Sequence, residues 1–355
     1  MASRNIAVTV TVKDKLGNTT SKQITVVEQD PTILVAGGYY VSGNGNMTTD
    51  TTGMNLKAFT QYHSFAELIM LPGYGKDYLK NLHAKGVWGN YVVELKHYGN
   101  SNTGVQNFTL EGKSYSVPAP SMTIQKRAGT TFPKAYGYEQ VWSGQCDGLL
   151  HRLLIQIRNM GGVKLNIQLA SEFDTDHEFG ITENGVNYTW EQADARAVRA
   201  LNYMLDYFRS RGVPAGTTFT VGMGGFNRGA WTRMHPESLM SKVDFLQWNA
   251  YRRSAGQTAY DVFNRTKVWS DADLGPIAKA KDILIAEWGT PMSLKDQAAW
   301  IKTVPAAIKR LNEESKTGKL VMTNYFNSND AWGTLNPKAD GLAALKVAYS
   351  TNPYA

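Results

Sequence analysis

The first thirty residues alternate between apolar and polar positions with the period of two that is typical of a β-strand. Six apolar residues follow this pattern: Ile6, Val8, Val10, Val12, Ile24 and Val26. Between the two apolar groups, residues 14–18 supply Asp, Gly and Asn, which favour a turn. The pattern predicts two short strands joined as a β-hairpin, which is too small to form a stable domain alone.

From Ile33 onward, short apolar runs alternate with longer stretches of helical period, which is typical of repeated βα units. We expect eight strands, at residues 33–40, 65–71, 91–97, 163–170, 219–224, 243–250, 283–286 and 320–326. This number of strands with interleaved helices predicts an α/β protein with a (β/α)8 TIM barrel. A doubly wound sheet is the alternative, but residues 36–40 lack the G-x-G-x-x-G spacing of a nucleotide-binding turn.

Two of the helices carry their own boundary signals. Thr189 and Gln192 form a capping box, and the helix that follows should end at Gly212. A second helix is predicted over residues 294–311, with a kink at Pro305. Residues 99–142 are rich in Gly, Ser, Thr, Pro and aromatic residues, and we expect them to be an insertion with a hairpin around residues 115–124.

These patterns divide the chain into residues 1–30, a hairpin with a linker, and residues 31–355, the barrel. The hairpin resembles the last hairpin of an immunoglobulin-like or PKD-like module, which implies an N-terminal continuation into a larger modular protein. An extra hairpin packed on the barrel is the alternative. Residues 1–12 lack the basic and apolar stretches of a signal peptide, so we expect any export signal to lie outside the printed chain.

The composition and charge of the chain argue against several classes of function. The chain has 355 residues, with 37 Lys and Arg against 30 Asp and Glu, and a formal net charge of +7. These charges are not clustered, which argues against nucleic-acid binding. No run reaches the roughly 18 uncharged apolar residues of a membrane-spanning helix, so membrane insertion is not expected. With Cys146 alone, neither an intrachain disulfide nor a cysteine-based metal site can form.

Two acidic residues end predicted strands. Glu172 follows the fourth strand and Glu287 follows the seventh, and the carboxyl ends of barrel strands open into one mouth. Two carboxylates so placed can act across a glycosidic bond, one as a proton donor and the other as a nucleophile or base. For each Glu alone, capping a helix or pairing with Arg is the alternative. Glu287, however, ends a buried apolar run, where a charge is costly without a function or partner.

Further residues at strand ends and in the connecting loops are candidates for substrate contact. Tyr251, which ends the sixth strand, can donate a hydrogen bond to a carboxylate on the seventh strand. Aromatic rings can pack against sugar rings, while polar groups bind the hydroxyls. The predicted substrate-binding residues are Trp332, Trp288, Asn249, Asp174, Tyr325, Tyr39, His97 and Trp142. Packing in the core or at the rim is the alternative for Tyr251 and for each of these aromatic residues.

The strand ends also resemble a known family. Residues 170–174 (ASEFD), 248–251 (WNAY), 284–289 (LIAEWG) and 325–326 (YF), followed by Trp332, resemble clan A retaining glycoside hydrolases, most of all family 26, the β-mannanase family. The resemblance implies that Glu172 is the general acid/base, that Glu287 is the nucleophile, that Tyr251 binds the nucleophile and that Trp332 stacks on a sugar. Ser171 stands where this family usually has His, so the hydrogen bonding around the substrate should differ.

The sequence therefore predicts an extracellular, endo-acting, retaining glycoside hydrolase that needs no cofactor or metal and acts on a β-linked polysaccharide. We rank β-mannan first, and β-1,3-xylan and mixed-linkage glucan are alternatives within the resemblance. A non-catalytic carbohydrate-binding or receptor-binding barrel of a secreted or phage tail protein is the alternative from another class. Residues 174–180 resemble a calcium loop only faintly, because the Gly is one place late and the Glu at the twelfth position is missing.

Overall fold

The computed structural model describes residues 3–13, 19–29, 36–41, 54, 56–64, 83–95, 104–125, 134–264, 271–291, 293–316, 318–327, 329–330, 333–334 and 339–350. The chain forms two compact units, Met1–Leu34 with Ala355, and Val35–Tyr354.

The first unit is a β-hairpin. Strand β1 (Ser3–Lys13) pairs antiparallel with strand β2 (Thr19–Gln29) along its whole length. In this register Ile6 lies opposite Val26, so the alternating apolar positions of the two strands occupy the same face. The predicted hairpin is present.

The described strands of the second unit are short. They are β3 (Ala36–Val41), β4 (Ala58–Ser64), β5 (Trp88–Glu94), β6 (Gln106–Leu110), β7 (Lys113–Val117), β8 (Met122–Ile124), β9 (Leu165–Leu169), β10 (Ile181–Glu183), β11 (Val186–Tyr188), β12 (Thr217–Val221), β13 (Leu246–Tyr251), β14 (Ile283–Gly289), β15 (Leu320–Asn327), β16 (Asn329–Asp330) and β17 (Gly333–Thr334). Eight of them form one parallel sheet in the order β12-β9-β5-β4-β3-β15-β14-β13. This is the strand order of a (β/α)8 barrel that is open between its fifth and sixth strands.

The open position lies between β12 and β13, where no ladder forms among the described residues. Two separate backbone hydrogen bonds join the segments there. The N–H of Asp244 donates to the carbonyl of Phe219 (2.8 Å), and the N–H of Asn249 donates to the carbonyl of Met223 (3.1 Å). The Asp244 carboxylate also accepts a hydrogen bond from the N–H of Phe219 (2.8 Å). The two edge strands are therefore neighbours, and all eight carboxyl ends lie on one side.

A network of fully buried polar side chains joins four adjacent strands of this sheet. Asn166 donates from Nδ2 to Asn90 Oδ1 (2.7 Å) and to Thr220 Oγ1 (2.9 Å). Asn90 donates in turn to Gln168 Oε1 (3.1 Å) and Thr60 Oγ1 (3.3 Å). A buried polar group without a partner costs about 1–3 kcal/mol. These bonds therefore fix the relative positions of β4, β5, β9 and β12.

The sequence prediction is wrong for the second strand of the sheet. The apolar pattern places it at residues 65–71, which lie outside the described residues, whereas β4 spans Ala58–Ser64. The polar Thr60 weakens the apolar pattern of this segment. The Thr60 side chain is nevertheless 0% exposed, and its hydroxyl accepts a hydrogen bond from Asn90 in the interior network. A strand that faces a polar interior does not form an apolar run.

The described helices connect the strands. They are α1 (Tyr138–Trp142), α2 (Asp147–Asn159), α3 (Phe173–Asp176), α4 (Trp190–Arg211), α5 (Arg228–Met234), α6 (Glu237–Met240), α7 (Ala259–Phe263), α8 (Asp271–Lys279, interrupted at Gly275), α9 (Gln297–Glu314) and α10 (Ala339–Ser350). Buried apolar side chains from these helices and from the sheet form one hydrophobic cluster. None of the helices in the described part of the chain is long and apolar enough to cross a membrane.

The boundary signals of α4 are confirmed. Gln192 Oε1 accepts a hydrogen bond from the N–H of Thr189 (2.9 Å), and Gly212 (φ 74°) ends the helix. Helix α9 begins three residues later than predicted, after Asp296, and contains Pro305. Local capping chemistry is thus sufficient to locate the ends of α4.

The predicted insertion contains a hairpin and part of a small sheet. Strands β6 and β7 pair across a turn at Glu111 and Gly112, both of which have positive φ. Strand β8 pairs with β10, which pairs with β11. The hairpin therefore begins earlier than the predicted residues 115–124.

One buried histidine lies at the end of α5. The His235 ring stacks on Trp231, with centroids 4.3 Å apart, and His235 Nδ1 donates to the Trp231 carbonyl (2.6 Å). Burial lowers the pKa of His235 to about 4, although this hydrogen bond opposes the decrease. The imidazole is therefore neutral in the folded protein at neutral pH.

Candidate active site

The turn after β9 presents Glu172 from a strained backbone. Ala170 (φ 59°) and Glu172 (φ 51°) both adopt left-handed conformations, each of which costs a residue with a Cβ about 1–2 kcal/mol. Gln168 Nε2 donates to the Ala170 carbonyl (3.1 Å), and the Glu172 carbonyl accepts a bond from the N–H of Thr175 (2.9 Å). These bonds stabilise the turn on both sides and fix the position from which the Glu172 side chain projects.

Gly222, which follows β12, packs directly against this turn. A Cβ at this position would lie 2.3 Å from the Ala170 carbonyl oxygen and 2.4 Å from Gln168 Nε2. The N–H of Gly222 donates to the Leu169 carbonyl (3.3 Å). Only glycine allows so close an approach of two backbone segments.

Two side chains of β13 bind the two predicted catalytic carboxylates. Asn249 donates from Nδ2 to Glu172 Oε1 (2.9 Å), and the Tyr251 hydroxyl donates to Glu287 Oε2. Asn249 is also the register partner of Glu287 in the ladder between β13 and β14. Residues i and i+2 of a strand project from the same face, about 6.5–7 Å apart. Both carboxylates are therefore held at one face of one strand.

The two carboxylates have different surroundings. Glu287 is 5% exposed, whereas Glu172 is half-buried. A phenol hydroxyl donates to the first and a neutral amide to the second. Carboxyl groups with different environments are suited to different protonation states, which is the requirement for one acid and one nucleophile.

Tyr251 is positioned by Phe326, which is not among the predicted site residues. Its ring meets Phe326 edge to face with centroids 6.1 Å apart, and Phe326 makes a similar contact with Tyr62 (6.1 Å). The neighbouring Tyr325, a predicted substrate-binding residue, is 0% exposed. Successive residues of a strand project from opposite faces, so Tyr325 and Phe326 lie on opposite faces of β15.

Trp288 and Tyr325 pack in the core instead of at the mouth, which corrects their prediction as substrate-binding residues. Both side chains are 0% exposed, and their ring centroids lie 4.8 Å apart. Trp288 also contacts the rings of Phe263 (5.7 Å) and Trp300 (6.1 Å). Because Trp288 directly follows Glu287, the two side chains project from opposite faces of β14.

Asp174 anchors a loop, which corrects its prediction as a substrate-binding residue. It is 1% exposed, and its carboxylate accepts bonds from the N–H groups of Gly224 (2.5 Å), Phe226 (2.7 Å) and Asn227 (3.3 Å). Burial raises the pKa of Asp174, and these three bonds oppose that increase. The same bonds use the oxygens that a calcium loop would need. Among the described residues, no group of three or more His, Cys, Asp or Glu side chains could hold a metal ion.

The remaining predicted substrate-binding residues are not brought to the carboxylates by the described contacts. The ring of Trp142 lies against Arg196 (4.7 Å) and Arg199 (4.4 Å) of α4. Tyr39 lies on β3, and its side chain is outside the described part of the structure, so its role stays a prediction. His97 and Trp332 lie outside the described residues, so their roles stay predictions.

A buried chain of hydrogen bonds holds the segment that follows Glu172. His177 Nδ1 donates to Asp194 Oδ1 (2.7 Å), and its Nε2 accepts from the Tyr138 hydroxyl (2.5 Å). Arg233 Nε donates to Asp194 Oδ2 (2.6 Å). These bonds connect α1, α4 and α5 to the end of α3. The sequence carries a signal for this chain of hydrogen bonds, because Asp194 lies within the otherwise apolar face of α4.

A third acidic residue ends a strand of the sheet and was not predicted. Glu94 is the last residue of β5 and is 2% exposed. It lies on the same face of β5 as Asn90, which belongs to the interior network. The signal is the one that identified Glu287, an acidic residue at the end of an apolar run. Glu94 is therefore a further candidate residue of the site.

A comparison with solved structures finds glycoside hydrolases at low sequence identity. A family 39 glycoside hydrolase from the gut symbiont Bacteroides cellulosilyticus WH2 gives a TM-score of 0.54 at 12% identity, over 97% of this chain and 70% of its own. A family 26 β-mannanase from Bacteroides ovatus gives 0.54 at 12% identity, over 91% and 90%. The catalytic domain of a family 26 endo-β-1,4-mannanase from Bacillus sp. JAMB-750 gives 0.53 at 13% identity, over 90% and 86%.

Comparisons of the sequence give a different result, because no family model matches the chain and no curated protein matches it. The structural similarity therefore shows the fold alone. The chain shares the (β/α)8 fold of these glycoside hydrolases, in agreement with the strand order of its parallel sheet.

Proposed function

We propose that this protein is a retaining glycoside hydrolase that cleaves within a β-linked polysaccharide, on a barrel that closes between β12 and β13. The observation that carries the proposal is the pair of contacts made by β13. Asn249 binds Glu172 and Tyr251 binds Glu287, so one strand holds two carboxylates that come from distant parts of the chain. The fold shared with family 26 and family 39 glycoside hydrolases supports the same conclusion.

The reaction is a double displacement. Glu172 donates a proton to the departing sugar while Glu287 attacks the anomeric carbon and forms a glycosyl-enzyme bond. Glu172, now a base, then takes a proton from the incoming water, which releases the sugar with its original anomeric configuration. The hydroxyl of Tyr251 stabilises Glu287 as a carboxylate before the attack and fixes the oxygen that accepts the bond.

The proposal for the substrate rests on fewer observations than the proposal for the reaction. Two of the neighbouring structures are described as a β-mannanase and an endo-β-1,4-mannanase, so β-mannan is the first polymer to test. Ser171 precedes Glu172 where the resembled family usually has His, so β-1,3-xylan and mixed-linkage glucan belong in the same panel. We also propose that the protein acts outside the cell as part of a larger modular protein.

The test is incubation with mannans, glucans and xylans, followed by detection of new reducing ends. Glu172→Gln and Glu287→Gln should each abolish turnover while circular dichroism stays unchanged. The anomeric configuration of the first product, read by NMR, should match that of the bond cleaved. Inversion of the configuration, or an active Glu287→Gln protein, would contradict the proposed nucleophile.

Azide distinguishes the proposed nucleophile, Glu287, from the proposed general acid/base, Glu172. It can replace the nucleophile in Glu287→Ala and should give a product of inverted configuration, whereas in Glu172→Ala it should intercept the glycosyl-enzyme and give retention. A crystal structure should place the two carboxyl groups about 5 to 5.5 Å apart, and about 6.5 Å or more would indicate an inverting enzyme. Binding of a glycan without new reducing ends would favour the non-catalytic carbohydrate-binding alternative.

A further inference from the structure

An exposed arginine contacts the loop that is anchored by Asp174, which follows Glu172 by two residues. Arg253 follows Tyr251 by two residues, and its guanidinium lies on the ring of Phe226, 3.7 Å from the ring centroid. The adjacent Arg252 is 2% exposed and binds Asp296 through two hydrogen bonds of 2.9 and 2.8 Å. One of these neighbouring arginines therefore lies inside the fold and the other lies at the surface.

The surroundings of Arg253 hold it in place. The N–H of Phe226 donates to Asp174 Oδ2 (2.7 Å), so the ring under the guanidinium belongs to the loop that Asp174 anchors. The N–H of Arg253 donates to Gln257 Oε1 (2.6 Å), which fixes its own backbone. A guanidinium that is ordered before binding loses less conformational entropy when it binds an anion.

The charge of Arg253 interacts with the charges of Glu172 and Asp174. Burial of part of the side chain lowers the pKa of Arg253, and the negative charges of Glu172 and Asp174 oppose this decrease. The guanidinium stays cationic at neutral pH. This positive charge favours an anionic group on a substrate over a neutral one, because opposite charges attract.

We infer that Arg253 and Phe226 form a subsite for a sugar that carries a carboxylate, so that the substrate is a β-linked polysaccharide containing hexuronic acid beside the cleaved bond. This inference rests on the proposed function for the identity of the ligand as a glycan. The planar fork of a guanidinium matches a carboxylate through two parallel hydrogen bonds. The aromatic ring beneath it supplies an apolar surface for the sugar.

The test uses matched polymers that differ only in charge. These are mannan and β-glucan, each unmodified, oxidised to the carboxylate at C6, or sulfated, together with xylan and glucuronoxylan. Affinity electrophoresis measures binding without turnover, and reducing-end detection measures cleavage. Arg253→Met should weaken binding of a carboxylated polymer about 10- to 100-fold, which is the usual effect of losing a hydrogen-bonded charge pair, while binding of its neutral counterpart stays unchanged.

Arg310→Met is the matched control. Arg310 is also exposed and lies over an aromatic ring, that of Tyr260 at 4.1 Å, and it pairs with Glu314 (2.7 Å). It belongs to α9, whereas Arg253 follows β13. This variant should bind every polymer as the wild type does. Arg253→Lys keeps the charge without the fork and should lie between wild type and Arg253→Met.

The outcomes separate this inference from the proposed function. Equal binding of neutral and carboxylated polymers, or an equal loss for both in Arg253→Met, would overturn the inference and leave the hydrolase proposal intact. A preference for sulfated polymers alone, or no binding of any acidic polymer, would also overturn it. Binding of carboxylated polymers that depends on Arg253 but is never followed by cleavage would support the subsite and refute the hydrolase proposal.

Discussion

Replacing Tyr251 by Phe removes one hydroxyl and leaves the ring in place. The ring keeps its edge-to-face contact with Phe326, while Glu287 loses a hydrogen bond at a carboxylate that is only 5% exposed. A hydrogen bond to a charged group contributes about 1.5–3 kcal/mol. If Tyr251 binds the nucleophile, this free energy raises the barrier to attack, and kcat/KM should fall about 10- to 150-fold.

The assay is the initial rate of reducing-end release on the polymer that the wild type cleaves, with thermal unfolding measured in parallel. Tyr260→Phe is a matched control, because the Tyr260 hydroxyl donates to Glu314 on α9. This variant should keep kcat/KM within about twofold of the wild type. Wild-type kcat/KM in Tyr251→Phe, with Glu287→Gln inactive, would refute the reasoning, and so would an equal loss in Tyr260→Phe.

Three further predictions concern the turn at Glu172, the amide that binds it and the core. Gly222→Ala should lower the melting temperature and kcat, because its Cβ would lie 2.3 Å from the Ala170 carbonyl oxygen; Gly256→Ala, with nothing within 4 Å, is the control. Asn249→Ala should lower kcat/KM about 10- to 100-fold through loss of a bond to a carboxylate. Urea titrations should show the wild type losing up to about 3 kcal/mol of unfolding free energy as pH falls from 6.5 to 4, because the buried His235 stays neutral in the folded state while the unfolded chain binds a proton. His235→Phe should flatten this dependence.

Each of these expectations can fail separately. A Gly222→Ala protein with the stability of Gly256→Ala would show that the turn can move away from an added methyl group. Unchanged kinetics in Asn249→Ala would remove this amide from the mechanism. A pH dependence of stability that persists in His235→Phe would assign it to other groups.

Features that depend on local chemistry could be predicted from the sequence. The helix at Thr189 begins where its capping box places it, Glu172 follows β9, and Glu287 lies in the last part of β14, both on strands that the apolar runs indicate. These features need only residues near one another in the chain. Tyr251 was selected by its position at a strand end and by a resemblance to a known family, whereas the bond from Asn249 to Glu172 depends on the folded arrangement of distant strands.

The errors have a different physical origin. Trp288 and Tyr325 were selected by residue type, but side-chain alternation directs each of them to the side of its strand opposite the neighbouring residue, Glu287 or Phe326. Asp174 was selected by position, and only the folded loop shows that three N–H groups surround it. Hydrophobic patterns cannot distinguish a polar interior from solvent, which explains the misplaced second strand.

A single strand as the common support of both carboxylates has a mechanical consequence. Glu172 follows β9 and Glu287 lies on β14, so the two residues belong to opposite sides of the open position between β12 and β13. The bond from Asn249 to Glu172 spans this opening, whereas the bond from Tyr251 to Glu287 joins two paired strands. Separation of the two edge strands would break the first bond and widen the distance between the carboxylates, so closure of the sheet and alignment of the pair depend on each other.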